Sequence, residues 1–288
     1  MYDRLSPFAI KLGMQHARRL AALSMKLASV VGTKPPSSAL RRTVMGIDFP
    51  GPAGLAAGFD KNGRLYPCLS RLGFGFAEIG TVTPEPEPGR SHGLAAVTAN
   101  LARYRLPHAI PLGISISMNR TTHPDRMAQD YLACLADMWQ FADYITINLG
   151  VRAGPDLHLA ENRPVLQAVL GAVKSEQARL TVSSGIRRPI VVKVDQARRN
   201  AGDTLACVLE FAFDGLILGG KGNQQEILST LEQTVRKMPH NAPVISVGGI
   251  RTPQDAQDRL RAGAALIQLY SGLLESGPRL VGRINTCC

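Results

Sequence analysis

The stretch Ala53-Gly54-Leu55-Ala56-Ala57-Gly58-Phe59-Asp60-Lys61-Asn62-Gly63 runs from a short apolar segment into a charged, glycine-bearing loop. An apolar run of this length, bounded by such a loop, has the character of a buried strand, here Ala53–Ala57. Seven similar segments follow: Phe76–Gly80, Pro111–Ser115, Tyr144–Leu149, Ile190–Val194, Gly215–Leu218, Val244–Val247 and Leu266–Tyr270. Longer amphipathic stretches separate them, most clearly Pro124–Phe141 and Pro253–Ala262. In the first, Met127, Tyr131, Cys134, Leu135 and Met138 share one helical face, while Asp125, Arg126, Gln129 and Asp130 stay polar. Alternation of strand and helix implies a parallel sheet with crossover helices. Eight such units predict an α/β fold, a single (β/α)8 TIM barrel, with an N-terminal helical extension before it. A doubly wound sheet would normally carry G-x-G-x-x-G after its first strand, and that pattern is absent.

The chain has 288 residues, 45% hydrophobic and 19% charged. That composition excludes disorder, collagen-like repeats and a coiled coil. No run of ~18 apolar residues exists, which excludes a conventional transmembrane helix. The cysteines (Cys68, Cys134, Cys207, Cys287, Cys288) form no C-x-x-C and no zinc-like cluster, so the sequence predicts a reduced intracellular protein without a metal. The terminal Cys287–Cys288 pair reads as a frayed tail.

Charge is unevenly spread: residues 1–42 hold eight bases against one acid, +7 of the net +11. Such a leader suits an anionic membrane surface or nucleic acid. Its bases interrupt the apolar residues, so it is not a secretory signal. Ala17, Leu20, Ala21, Ser24, Leu27, Ala28 and Val31 fall at helical spacing, and the stripe either packs on its own domain or docks on a membrane. The expected organisation is a basic amphipathic extension over 1–42 and a barrel over 43–288, with Lys34–Ser38 as a Pro-rich linker.

In a barrel the chemistry sits where strands end. Those ends offer Ala57-Gly58-Phe59-Asp60-Lys61, Gly80-Thr81-Val82-Thr83-Pro84, Asn148-Leu149-Gly150, Lys193, Gly219-Gly220-Lys221-Gly222, Gly248-Gly249 and Tyr270-Ser271-Gly272. Glycines and a hydroxyl after the last two strands suit a phosphate, because backbone N–H groups must approach the anion closely. Lys61 and Lys193 add positive charge inside the mouth. Together they point to an anionic or electron-accepting cofactor.

The residues Met45-Gly46-Ile47, Gly54 through Gly63, Gly73-Phe74-Gly75-Phe76 and Glu78 through Pro84 resemble the dihydroorotate dehydrogenases. So do Val247-Gly248-Gly249-Ile250, Ala262-Gly263-Ala264 and Gln268-Leu269-Tyr270-Ser271, and the basic leader is similar to that of the membrane-associated, quinone-using class 2. The resemblance implies bound FMN. It places Ala57, Gly58, Lys61, Thr81, Asn148, Lys193 and Gly219 at the flavin, and Gly248, Gly249, Tyr270 and Ser271 at its phosphate. The N-terminal helices would shape a quinone tunnel with Phe8, Leu12, Leu20 and Leu27 as wall residues. The protein would lie in the cytoplasm, peripherally on the inner face of the membrane.

The substrate motifs of that family are not retained. Its N-R-M-G-F-N-N loop is missing between Gly89 and Gly113. Val151 stands where the serine base is expected, Ala153 replaces a substrate-binding asparagine, Gly220-Lys221-Gly222 replaces N-T-T, and Ser115 replaces a flavin-binding asparagine. Removing a carbon-bound proton requires a positioned base. The sequence therefore predicts an FMN-dependent oxidoreductase that desaturates a different small carboxylate, amide or amino-acid-like substrate. In that reading Lys61 and Arg152 bind the substrate, Lys61 and Lys221 are the catalytic candidates, and Asp156 and His158 are further proton-transfer candidates. The alternatives are a genuine quinone-dependent dihydroorotate dehydrogenase of pyrimidine biosynthesis and a non-catalytic FMN-binding electron-transfer partner. Nucleic acid is not expected as a partner, because the charge lies in the leader and not around the barrel mouth.

Overall fold

In the computed structural model the eight expected strands are present and close on themselves. The structure describes residues 11, 13–32, 35–104, 109–150, 156–196, 201–220, 222–239 and 242–287. Helix α1 (Met14–Val31) precedes an antiparallel hairpin, β1 (Arg42–Val44) and β2 (Ile47–Phe49). The barrel strands are β3 (Ala53–Leu55), β4 (Phe76–Val82), β5 (Leu112–Ile116), β6 (Tyr144–Asn148), β7 (Ile190–Asp195), β8 (Gly215–Gly219), β9 (Val244–Val247) and β10 (Leu266–Leu269). They follow chain order around the ring, and β10 pairs with β3 to close it. The remaining helices are α2 (Tyr66–Leu69), α3 (Leu94–Leu101), α4 (Met127–Met138), α5 (Arg163–Ser184), α6 (Ala201–Glu210), α7 (Gln224–Lys237), α8 (Pro253–Arg261), α9 (Ser271–Ser276) and α10 (Arg279–Cys287).

The barrel interior is a packed core, as the geometry of eight strands requires. Phe49, Phe76, Tyr144, Val191, Ile217, Ile245 and Leu266 form one buried cluster. Phe76 and Tyr144 open their strands, so this aromatic layer lies at the N-terminal end of the barrel. Phe49 seals it from the hairpin, edge-on to Phe76 at 5.4 Å between centroids and 6.5 Å from Tyr144. The hairpin was not anticipated. Its turn, Met45-Gly46, has positive φ at both residues (54° and 76°). That is the primed geometry that matches strand twist, but methionine in the first position is a weak signal for it.

Two glycines admit the rings. A Cβ on Gly113 would lie 2.2 Å from Tyr144 Cζ, and one on Gly54 would lie 2.4 Å from Phe76 Cζ. Toward the mouth, Glu78 is fully buried. Its Oε2 accepts hydrogen bonds from Tyr144 (3.2 Å), Thr146 (2.9 Å) and Gln268 (2.8 Å). Burial pushes its carboxyl above the usual range.

Helix α4 buries the expected face, Met127, Tyr131, Cys134, Leu135 and Met138. Helix α1 differs from expectation. It buries Ala17, Ala21, Met25 and Ser29, a narrow seam of mostly small side chains at i, i+4 spacing. Leu27 and Val31, expected on that face, are 65% and 89% exposed, as are Leu23 (56%) and Val30 (73%). Small residues let the helix approach the barrel closely, which turns the longer apolar side chains outward. Leu27 is therefore no tunnel wall. Leu20 packs against the core, and Phe8 and Leu12 lie outside the described residues. The tail also differs, since α10 runs through Cys287.

Because Gly113 faces a ring that has nowhere to move, Gly113→Ala is expected to destabilise the fold by about 1–3 kcal/mol through overpacking. The urea midpoint at unchanged m-value checks this.

Candidate active site

The strand ends converge on one mouth. At one side lie Gly248 and Gly249 after β9, and Tyr270 and Ser271 after β10. Gly248 (φ 102°) passes so close to the neighbouring loop that a Cβ there would sit 2.1 Å from the Gly220 carbonyl. Only glycine fits this crossing. Among the described residues no hydrogen bond uses the backbone N–H of Gly248, Gly249 or Ser271. Three unused donors on glycine-rich turns are an anion cradle.

Arg259 supports the cradle from behind. It is fully buried on α8, with Nη2 donating to Gln224 Oε1 (2.6 Å) and the Gly248 carbonyl (3.4 Å). Gln224 Nε2 in turn donates to the Gly249 carbonyl at 2.6 Å. Arg259 is one helical turn from the buried Ala256, so the periodicity of α8 carries the signal that was missed.

Against the cradle, a cavity of about 250 Å³ is lined by Asn148, Gly150, Lys193, Asp195, Gly219, Gly220, Val247 and Gly248. Asn148 Nδ2 donates to Thr81 Oγ1 at 2.9 Å, which ties the ends of β6 and β4 together. Lys193 projects from β7 into this space. Gly58 follows Ala57 with φ 90° and donates its N–H to the Gly80 carbonyl at 2.7 Å. Its own carbonyl accepts from Arg18 Nη1 on α1 at 3.2 Å. Tyr270 stands edge-on to Phe59 at 5.6 Å. Thus Ala57, Gly58, Thr81, Asn148, Lys193, Gly219, Gly248, Gly249, Tyr270 and Ser271 all stand on strand ends around the mouth.

The loop between β4 and α3 shapes the third wall. Lys61 Nζ donates to the Gly89 carbonyl. Next to it, Arg90 Nη1 donates to Glu87 Oε2 (2.6 Å) and the Met118 carbonyl (3.0 Å), and Nη2 to Ser117 Oγ (2.9 Å). Ser117 Oγ donates in turn to the Asn148 carbonyl at 3.0 Å. Arg90 was not anticipated. It sits in a Pro/Glu-rich turn whose composition gives no hint that one side chain folds back over β5. Lys61 is held down to a pKa of about 8, by burial first and then by Arg18, Arg120 and Arg90.

Several expected residues fall elsewhere. Lys221 and Arg152, with Val151 and Ala153, lie outside the described residues. Asp156 is a turn residue, its Oδ1 accepting from the His158 N–H at 3.0 Å. His158 is buried, its Nδ1 3.1 Å from Thr204 Oγ1 on α6. Ser115 is fully buried on β5, and its Oγ has no partner. Among the described residues no group of His, Cys, Asp or Glu could hold a metal ion, and no helix is long and apolar enough to cross a membrane.

FMN fits these residues. The unused N–H groups suit its phosphate, and the cavity with Lys193 at its wall suits the ring. Fold and site together define a flavin-binding barrel oxidoreductase.

Known proteins agree. The family model for dihydroorotate dehydrogenase matches residues 39–92 and 196–287. A protein named dihydroorotate dehydrogenase (quinone) from Stenotrophomonas maltophilia is 32% identical over 330 aligned positions, covering 98% of this chain and 94% of its own. Another so named, from Burkholderia cenocepacia, is 34% identical over 337 positions, 98% of this chain and 96% of its own. The alignments exceed the 288 residues of this chain, so the relatives carry tens of residues where it has gaps. A crystal structure of DHODH from Eimeria tenella in complex with ferulenol shares the fold, with a TM-score of 0.79 at 24% identity over 93% of this chain and 89% of that one. The chain belongs to the dihydroorotate dehydrogenase family. It is an FMN-dependent oxidoreductase acting on a CH–CH bond.

Lys61 sets a pH dependence. An anion gripped by its ammonium is expected to bind with constant affinity below pH 8 and to weaken as pH rises through about 8, where an ordinary lysine would hold it to 10.5. Titrating the holoenzyme with a small carboxylate from pH 6 to 10 checks this, and Lys61→Arg should flatten the curve.

Proposed function

We propose that the chain desaturates a small carboxylate at bound FMN and passes the electrons to quinone. The relatives' names support dihydroorotate as the substrate. The observation that carries the reading is the set of unused N–H groups at Gly248, Gly249 and Ser271, on the strand ends of the mouth. FMN, when bound, supplies the ring that accepts hydrogen from the substrate carbon. The chain's own part is binding and orientation. Lys61 receives the carboxylate, and the Arg90–Ser117–Asn148 bonds fix the wall on which Thr81 sits. Lys193 would place positive charge at the wall of the flavin cavity, where it would offset negative charge on a bound ring.

One observation favours a second reading, an altered substrate. The family match is interrupted over residues 93–195, between its two matched segments. That interval contains Val151, where the family's serine base is expected, and the region from which its substrate loop is missing. Valine cannot take a proton from carbon. In this reading the flavin site is kept and the substrate is another small carboxylate, amide or amino-acid-like molecule.

The visible spectrum, recorded anaerobically before and after adding dihydroorotate, separates the readings. Bleaching of bound flavin supports dihydroorotate oxidation. Flavin that stays oxidised rejects that substrate and leaves the second reading. A colourless protein overturns both.

Delivery of quinone falls to α1. Its outward Leu23, Leu27, Val30 and Val31 lie beside Arg19 and Lys26, a pairing of apolar and basic side chains that suits an anionic bilayer. Leu27→Glu with Val31→Glu is expected to move the protein from the pellet to the supernatant in sedimentation with anionic vesicles. Unchanged partitioning would remove the membrane role.

A further inference from the structure

The barrel interior holds an ionisable group that neither flavin nor substrate binding has used, Glu78 on β4. Its side chain is fully buried, and the hydrogen bonds from Tyr144, Thr146 and Gln268 all fall on Oε2. Among the described residues Oε1 has no hydrogen-bond partner, and neither has the side-chain oxygen of Gln268. A buried carboxylate oxygen without a donor is costly. A proton on it makes a donor in a network that has an acceptor to spare. The donors on Oε2 favour the anion, while burial and the bare Oε1 favour the acid. Glu78 is thus balanced between its two forms.

That balance is struck beneath Lys193. Thr146, whose hydroxyl meets the carboxyl, pairs in register with Val191, and Asn148 pairs with Lys193. Residues two apart on a strand share a face, so Lys193 stands one layer mouthward of that hydroxyl. Its positive charge favours the ionised form of Glu78, against the burial that raises the carboxyl above its ordinary range. Tyr144 is the other titratable group facing Glu78 among the described residues. Burial pushes its phenol well up, so it stays neutral. Lys193 also lines the cavity at the mouth. One cation therefore faces a carboxyl below and the flavin cavity above.

We propose that Glu78 is a positioning residue for the reaction: acting through Lys193, it takes up a proton when the bound flavin is reduced and returns it on reoxidation. The inference rests on the reading that places FMN against Lys193. Hydride transfer from the substrate's CH–CH bond adds one negative charge to a bound ring. That charge competes with the Glu78 carboxylate for Lys193 and repels it, and both effects disfavour the ionised carboxyl. Glu78 then binds one proton from the medium. It releases that proton when two electrons and the hydride's own proton leave for the acceptor. The barrel interior thereby keeps its net charge through the cycle, whichever substrate supplies the hydride.

The test is the midpoint potential of the FMN-loaded protein from pH 5 to 9, with dye-reported proton uptake on anaerobic photoreduction. Glu78→Gln keeps an acceptor for the donors of Tyr144, Thr146 and Gln268 and cannot ionise. At the acid end, where the carboxyl stays protonated in both states, wild type and variant are expected to share one potential. As pH rises the wild-type potential should fall more steeply, because its reduction consumes an additional proton. At pH 9 the variant's reduction equilibrium should be roughly tenfold more favourable, about 30 mV for a two-electron couple. Thr146→Val removes a donor to the anion and should move the steep segment to higher pH, which tests the proposal even if the first variant fails to fold. Parallel potentials with equal proton uptake, or a steep segment that Thr146→Val leaves in place, overturn the proposal. A yellow protein with that result rejects this inference alone, whereas a colourless one rejects it together with the flavin reading beneath it.

Discussion

The pairing of β10 with β3, with Ile267 beside Ala53, is the constraint on which the rest of the molecule depends. It joins the two ends of the barrel segment and turns an open sheet into a ring. Once the ring is closed, every β-to-α loop opens at the same mouth. The closure sets Tyr270, from the last strand, over Gly58 and Phe59, from the first. It also lets Gln268 reach Glu78 across the interior at 2.8 Å. Neither contact follows from local preference. Each exists because the first and last strands are neighbours, and their many core side chains leave the closed form as the way to bury both faces of the sheet.

How much of this was legible depends on the distance over which the information acts. The strands were readable because a barrel strand is apolar along its whole length, as in Ile190–Val194 or Val244–Val247. The seam of α4 was readable because a helix with one buried face repeats its apolar residues. Helix α1 was misread because small residues decide its packing. Ala17, Ala21 and Ser29 look less apolar than Leu23 or Leu27, yet they allow the closer approach. That Gly58, Gly248 and Gly249 stand at strand ends was legible, since glycines there have a physical role that survives in sequence. Arg90, Arg18 and Arg259 were not. Each acts through a contact with a residue far along the chain, and a lone arginine carries no sign of its partner.

Charge tells a related story. Composition placed the surplus in residues 1–42 and set it apart from the barrel mouth. The fold removes that separation, because α1 lies on the mouth and carries Arg18 and Arg19 to Lys61. The leader's charge is thus partly the site's charge. Asp60 and Glu87, the acids on the walls around Lys61, do not offset it, since both are committed to holding loops in place. A lysine that shares its surroundings with three guanidinium groups is easier to deprotonate and more strongly drawn to an anion.

The match to the family has the same division. It covers residues 39–92 and 196–287 and is interrupted between them. The matched segments contain β3, β4, β8, β9 and β10, whose ends carry Gly58, Lys61, Thr81, Gly219, Gly248, Gly249 and Ser271. The interval contains β5, β6 and β7 and the loops that follow β5 and β6. A barrel permits this because each loop is anchored by its own strand, and changing some of them leaves the others in register. The interval nonetheless holds Asn148 and Lys193, so the cavity at the mouth draws on both the matched and the interrupted arcs of the ring. A barrel can therefore keep its closure and most of its strand ends while individual loops diverge.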